Sequence, residues 1–300
     1  MDYSFPRYLM AKQTVDDRAI NRQVYEALVA SMPDRPIHII EVGAGIGTMP
    51  VRLLHWGLME RAKYTVVDSM QENIDYTKNW LSGWSEENDF SLQILVEHGL
   101  RLFNSNHDIE ITFECADVFD FIKSQPLKAD LLIAHAFLDL LTLPKSLPEL
   151  FSLIKPGGLA WLTLNFDGAT TFEPIIDPSL DAQIERLYHQ TMDERPSGGD
   201  SRSGRHLFKY LQDAGVDILA AGPSDWVVFP QNGKYPADEA YFLHFILHFF
   251  EQSLIVHPEL DADTFAAWLN ERRAQIDRGE LVYIAHQMDF LVQLPPSKSV

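Results

Sequence analysis

A single cysteine, Cys115, is all the thiol chemistry this chain of 300 residues has. An intramolecular disulfide and a cysteine-built metal site are both excluded. Basic residues are also scarce, 24 against 43 acids, for a formal net charge of −19. Such a field repels phosphate backbones and anionic headgroups over about a Debye length, so neither nucleic acid nor a membrane surface is expected as a partner. No run of Lys and Arg is long enough to override it. Long hydrophobic runs are missing too. The longest, Ala240 to Phe250, carries two histidines and falls short of the ~18–20 residues a bilayer span needs. The opening MDYSFPRYLMAK lacks the apolar core of a signal peptide, and a cytoplasmic address is expected.

The 46% hydrophobic content and mixed charges are those of an ordinary globular chain with enough length for a real core. Residues 1–32 read as an amphipathic helical lead-in, with Ile20, Val24, Ala27 and Leu28 at helical spacing and Pro33 and Pro36 ending it. Ile37–Val42 is a short apolar run that reads as a buried strand. A helix over 47–60, a strand over Tyr64–Val67 and a helix over 70–81 follow. Further strands fall at Ile109–Cys115, Leu131–Ala136 and Leu159–Leu164. Asp167 to Arg205 breaks the rhythm and reads as an insertion ending in a mobile loop, Pro196–Gly204. Beyond it come a helix over Leu207–Gly215, strand material over Val216–Phe229, helices over 237–256 and 263–278, and a last strand over Leu281–Leu294. Strands alternating with helices predict an α/β chain with a doubly wound, mostly parallel sheet.

The informative segment is Glu41-Val42-Gly43-Ala44-Gly45-Ile46-Gly47, placed where a strand passes into a helix. Glycines there permit a tight turn and let a ligand approach the backbone. Gly-x-Gly-x-Gly departs from the dinucleotide spacing Gly-x-Gly-x-x-Gly, and no lysine precedes the helix as in a phosphate loop. Asp68 ends the second strand, 25 residues after Gly43, where a carboxylate can accept from both hydroxyls of a ribose. Asp117 lies just past the third predicted strand. All three acids fall at strand carboxyl ends, where open α/β sheets bind ligands.

With these residues the sequence resembles the class I S-adenosylmethionine-dependent methyltransferases. The glycine motif is similar to theirs, with Glu41 leading. Asp68 resembles their ribose ligand, and Cys115-Ala116-Asp117-Val118 their adenine-binding motif. Ala129 to Ala136 resembles their fourth-strand motif, and Leu153-Ile154-Lys155-Pro156-Gly157-Gly158 the turn before their fifth strand. The resemblance spans roughly 37–165. It implies a seven-stranded sheet, with N-terminal helices and helical insertions (about 166–205 and 235–278) forming a cap over a domain of 37–300. It implies residues 1–36 as a lid, S-adenosylmethionine as cofactor, and methyl transfer to a small-molecule acceptor. The implied cofactor-binding residues are Glu41, Gly43, Ala44, Gly45, Gly47, Asp68, Ser69, Met70, Ala116, Asp117, Val118 and Ala134. An aminopropyltransferase-like enzyme, a nicotinamide oxidoreductase and a non-catalytic cofactor-binding scaffold stay open as alternatives.

Other residues extend this reading. His135, at the end of the fourth predicted strand, is the candidate general base, since a neutral imidazole can take a proton from a hydroxyl or amine. Asp139 either orients it or caps the next helix. Tyr3, Phe5, Tyr8, Lys12 and Arg18 are candidates for the lid. His244 and His248 share a helix face, but no Glu follows His244 as in His-Glu-x-x-His, and no metal is expected. Their aromatic helix is read as core, with a pocket wall or a homodimer surface as the alternatives. Ser201 to His206 concentrates positive charge that could hold an anionic group of the acceptor, or be a helix start capped by Ser203.

Overall fold

The run Ile37–Val42 forms β1, where the neighbours Ile39 and Ile40 point to opposite faces and are both fully buried. A strand covered on both sides has this character. The computed structural model describes residues 2–95, 99–125, 127–196 and 198–297. Ahead of β1 come three helices, α1 (Phe5–Ala11), α2 (Gln13–Ala19) and α3 (Arg22–Ser31). After it follow α4 (Thr48–His55), β2 (Arg61–Asp68), α5 (Gln71–Glu87), β3 (Ser91–Leu95), β4 (Gly99–Phe103), β5 (Asp108–Cys115), α6 (Val118–Ser124) and β6 (Ala129–His135). A 3₁₀ turn (Leu138–Leu140) leads to α7 (Leu143–Phe151), β7 (Ile154–Glu173), α8 (Pro178–Asp193), α9 (Ser203–Asp213), β8 (Asp217–Pro223), β9 (Trp226–Val228), α10 (Glu239–Leu254), α11 (Ala262–Asp277) and β10 (Val282–Gln293).

The sheet runs β3-β4-β5-β2-β1-β6-β7-β10-β8, with β9 paired to β10. Strands β5, β2, β1, β6 and β7 are parallel to one another, and β10 is antiparallel between β7 and β8. The expected seven strands correspond to β5-β2-β1-β6-β7-β10-β8, and among the described residues the sheet has ten, with β3 and β4 added beyond β5 and β9 paired to β10. The β3–β4 hairpin and β9 are additions on which the sequence analysis makes no assignment or only a coarse one. The hairpin is hard to see because β3 is an exposed edge strand with no apolar run. From β1 the chain steps to β2 on one side, and β6 lies on the other. That reversal opens a crevice at the strands' carboxyl ends.

Two apolar layers sandwich the sheet. One side holds Ile39, Met49, Tyr64, Val66, Ile111, Ile133 and Trp161, and the other Ile40, Val42, Leu132, Leu147, Leu162, Leu207 and Leu211. A third cluster lies past the carboxyl ends, where Tyr8, Leu187, Phe242, Phe245, Phe250, Trp268 and Tyr283 join α1, α8, α10 and α11. It stands on a sheet extension. β7 does not stop near Leu164 but continues to Glu173, pairing with β10 from Val282 onward. The insertion expected to begin at about 166 thus starts as strand, and only α8 and the turn after it leave the sheet. Of the expected loop 196–204, Ser197 lies outside the described residues. α5 also runs on through Ser82 and Gly83 to Glu87, past the expected end at 81.

Ion pairs tie the cap together. Arg272, fully buried, donates to Asp181 (2.7 Å), the Pro174 carbonyl (2.6 Å) and Gln275 (2.9 Å). Glu239, also fully buried, accepts from Arg18 (2.6 and 3.0 Å) and Thr14 (2.7 Å). Arg7 pairs with Asp238 (2.9 Å). The N-terminal helices are thus held against α10, over the crevice.

Candidate functional site

The turn after β1 is built from glycines in the left-handed region, Gly43 (φ 63°), Gly45 (56°) and Gly47 (66°). Other residues adopt this backbone only with strain, and space adds a second restriction. A Cβ on Gly43 would stand 2.2 Å from the Phe137 ring, on Gly45 3.0 Å from Leu9 Cδ1, and on Gly47 2.5 Å from Thr77 Cγ2. The turn is pinned from outside by Trp80 Nε1, which donates to the Ile46 carbonyl (2.6 Å).

This turn borders a cavity of about 430 Å³. Its walls bring together ten of the twelve cofactor residues expected from the sequence: Glu41, Gly43, Ala44, Gly45, Asp68, Ser69, Met70, Ala116, Asp117 and Val118. Two expected residues are not on the wall. Gly47 turns the chain into α4, and Ala134 is wholly buried between β1 and β7. Phe5, Leu9, Lys12, Asn73, Phe137 and Leu140 are also on the walls. Leu9, Asn73, Phe137 and Leu140 escaped the sequence reading, because no local pattern marks them and packing between distant elements brings them in.

The three acids differ in their surroundings. Glu41 is 2% exposed and accepts from the Tyr64 hydroxyl (2.8 Å). Burial pushes its carboxyl up to about 8, against the pull of that hydrogen bond and of Arg52. Asp68 accepts from Gly45 N–H (2.8 Å), Met70 N–H (2.9 Å) and Asn73 Nδ2 (3.1 Å). About three of a carboxylate's four acceptor positions are then used inside the protein, with Oδ2 keeping one. Asp68 is therefore first the clamp of the glycine turn. Asp117 caps α6 through Oδ1, which accepts from Phe119 N–H (2.8 Å), and its side chain is exposed at the cavity mouth.

His135 is on the cavity wall, with both ring nitrogens engaged. Nε2 lies 3.1 Å from Asp16 Oδ2 and Nδ1 2.7 Å from Thr163 Oγ1. Burial alone would raise Asp16, but Lys12, His135 and Arg52 outweigh it and hold the carboxylate ionised. An ionised carboxylate only accepts, which puts the imidazole proton on Nε2 and leaves Nδ1 to accept from Thr163. Burial pushes His135 down to about 4 in spite of Asp16. Asp16 also accepts from Trp226 Nε1 (2.9 Å) and pairs with Lys12 (3.1 Å). This network joins β6, β7, β9 and α2 at the end of the crevice.

Asp139 caps no helix. It lies in the 3₁₀ turn after β6, and its Oδ1 is buried without a hydrogen-bond partner among the described residues. The other sequence candidates are absorbed by packing. His244 meets Asp277 (3.4 Å), and His248 stacks on Tyr3 with ring centroids 4.1 Å apart. Arg205 pairs with Asp167 (2.8 Å), His206 with Asp200 (2.7 Å), and Ser203 Oγ donates to the Phe166 carbonyl (2.9 Å) instead of capping α9. The aromatic helix 237–256 is α10, whose buried rings form the cap core.

No family profile and no curated protein matches the sequence. Solved structures do match. A Bacillus halodurans C-125 protein described as a candidate methyltransferase is 9% identical with a TM-score of 0.50, over 92% of this chain and 100% of that one. A SAM-dependent methyltransferase from Thiobacillus denitrificans, solved with S-adenosyl-L-homocysteine, is 12% identical with a TM-score of 0.48, over 97% and 99%. Geranyl diphosphate C-methyltransferase from Streptomyces coelicolor A3(2) is 9% identical with a TM-score of 0.42, over 90% and 75%. The first of these likenesses defines the fold of this chain as the Rossmann-like methyltransferase fold. No helix among the described residues is long and apolar enough to cross a membrane.

Proposed function

We propose that this chain is an S-adenosylmethionine-dependent methyltransferase acting on a small molecule. The observation that carries the reading is the single cavity in which Glu41, Asp68 and Asp117 converge on the glycine turn. Its donor set suits a nucleoside with a positive sulfur and no phosphate. The walls offer carboxylates and bare backbone, and their one lysine, Lys12, is already paired with Asp16. When bound, S-adenosylmethionine supplies an electrophilic methyl group on that sulfur.

The chain's own residues then have separable tasks. Gly43 and Gly45 let the ligand lie against the backbone. The remaining acceptor position on Asp68 Oδ2 takes a ribose hydroxyl, and Ser69 and Met70 border the same part of the wall. The free oxygen of Asp117 takes the adenine amino group, beside Ala116 and Val118. His135, with both nitrogens occupied, holds the crevice end in shape. Residues 1–36 act as the lid, since Phe5, Leu9 and Lys12 close the cavity from above. Methyl transfer needs alignment and exclusion of water more than covalent help, and an enclosed crevice provides both.

Calorimetry tests the reading. S-adenosyl-L-homocysteine should bind the wild-type chain, and Gly45→Arg should abolish binding by filling the cavity. Asp68→Ala should weaken binding and also lower the melting temperature, because the turn loses its clamp. Each lost charge-assisted bond is worth roughly 1.5–3 kcal/mol. Binding of NAD in place of S-adenosyl-L-homocysteine would refute the proposal.

A further inference from the structure

A second cavity of about 340 Å³ adjoins the first. The two share Phe5, Leu9, Lys12, Ala136 and Leu140 as walls. The chain from Ala136 to Leu140 is therefore the partition between them, and Asp139 lies within it on the far side. The body of the second cavity is apolar and aromatic, with Phe166, Trp226, Ile246 and Phe249 on its walls.

Two of its polar residues carry a buried oxygen left unpaired. Asp139 Oδ1 and Gln287 Oε1 are buried with no hydrogen-bond partner among the described residues, and Gln287 is only 2% exposed. A buried carboxylate oxygen and a buried amide left this way bear the cost of lost hydration with no bond to offset it. Tyr8, Tyr188 and Tyr283 line the same cavity. Burial pushes all three phenols up and keeps them neutral. Asp139 lies in the field of Arg195, which lines the same cavity, and Lys12 on its wall is paired with Asp16.

The backbone is strained at the same place. Ala136 (φ 50°) and Leu164 (φ 55°) are non-glycine residues in the left-handed region, and both line the second cavity. Such strain persists where surrounding structure holds it, and it collects at ligand sites. Asp289 fixes one of the two, accepting from Leu164 N–H (2.7 Å).

We infer that this second cavity holds the methyl acceptor, an aromatic or aliphatic small molecule with an N–H or O–H group that it donates to Asp139, with the Gln287 amide as second polar contact. The inference rests on the proposed methyl transfer for its direction, the reacting end lying at the border the two cavities share beside Ala136 and Leu140. In the reaction the lone pair of the acceptor nitrogen or oxygen bonds to the methyl carbon. The carbon–sulfur bond breaks with its pair going to sulfur, and the proton left on the methylated atom passes to Asp139. A wholly apolar ligand would leave Asp139 and Gln287 unsatisfied, which is the physical ground for selectivity.

Three probes of one shape test this, phenethylamine, 2-phenylethanol and ethylbenzene. Their affinities are measured by saturation-transfer NMR on the full chain, with and without S-adenosyl-L-homocysteine. At least one of the two donor-bearing probes should bind the wild type at least tenfold more tightly than ethylbenzene. Asp139→Leu and, separately, Gln287→Leu should shrink that preference at least threefold while leaving S-adenosyl-L-homocysteine affinity within twofold. Equal or tighter binding of ethylbenzene, no binding of any probe, or an unchanged preference in both variants overturns the inference. The wild-type comparison decides even if a variant does not fold. Retained probe preference without S-adenosyl-L-homocysteine binding would sink the methyltransferase reading alone, and the reverse pattern would sink only the acceptor assignment.

Discussion

Replacing Glu41 with Gln isolates the cost of an acid buried at the heart of the crevice. Its carboxyl ordinarily titrates at 4.5 and is pushed up to about 8 in the folded chain. Between these values the folded state holds a proton that the unfolded state has lost. Wild-type stability therefore falls as pH rises through the window, by up to ~1.4 kcal/mol per pH unit, or about 5 kcal/mol in all. That figure is an upper bound, because Glu41 borders a cavity that water can enter. The amide of Glu41→Gln keeps an acceptor for the Tyr64 hydroxyl and has no proton to lose. The variant should match the wild type near pH 4.5 and become progressively more stable up to about pH 8, with the difference constant beyond. Urea unfolding at pH 5, 6, 7, 8 and 9 measures that difference directly. A difference that does not change with pH would show that Glu41 is ionised in the folded chain throughout, and would refute the argument.

Two further substitutions separate binding from architecture. Asp117→Asn should keep the cap on α6, since asparagine caps as well as aspartate, and leave the melting temperature unchanged. It should still weaken S-adenosyl-L-homocysteine binding about tenfold, ~1.4 kcal/mol, which calorimetry would detect. His135→Ala should lower stability by about 1–3 kcal/mol through loss of the links to Asp16 and Thr163, with ligand affinity nearly intact. Because the folded-state value of His135 is lowered to about 4, the unfolded chain takes up the proton first. Wild-type stability should thus fall as pH drops from about 6.5 to 4, and the alanine variant should lose that component. A stable His135→Ala protein would remove the structural role given to the residue.

Local pattern alone determined a good deal about this protein. Short apolar runs marked β1, β2 and β6, since a strand covered on both faces has to be apolar along its length, and alternation marked β5. The glycine turn and its three acids were legible because they are set by backbone constraint and by position at strand ends. Tertiary structure decided the rest. The β3–β4 hairpin escaped because an edge strand has little need of an apolar run, and the extension of β7 to Glu173 because its partner, β10, is more than a hundred residues away. The surroundings of His135 were hidden for the same reason. Its position after β6 was evident, but its partners Asp16 and Thr163 come from α2 and β7, and no local pattern records which distant groups will occupy a side chain. Asp139 is the converse case: by spacing a candidate cap, it stands in a 3₁₀ turn instead, with Oδ1 buried and without a hydrogen-bond partner among the described residues. Sequence sets what a segment can form, whereas burial and pairing, which decide whether a polar group is spent on structure or left for a ligand, exist only once distant segments have met.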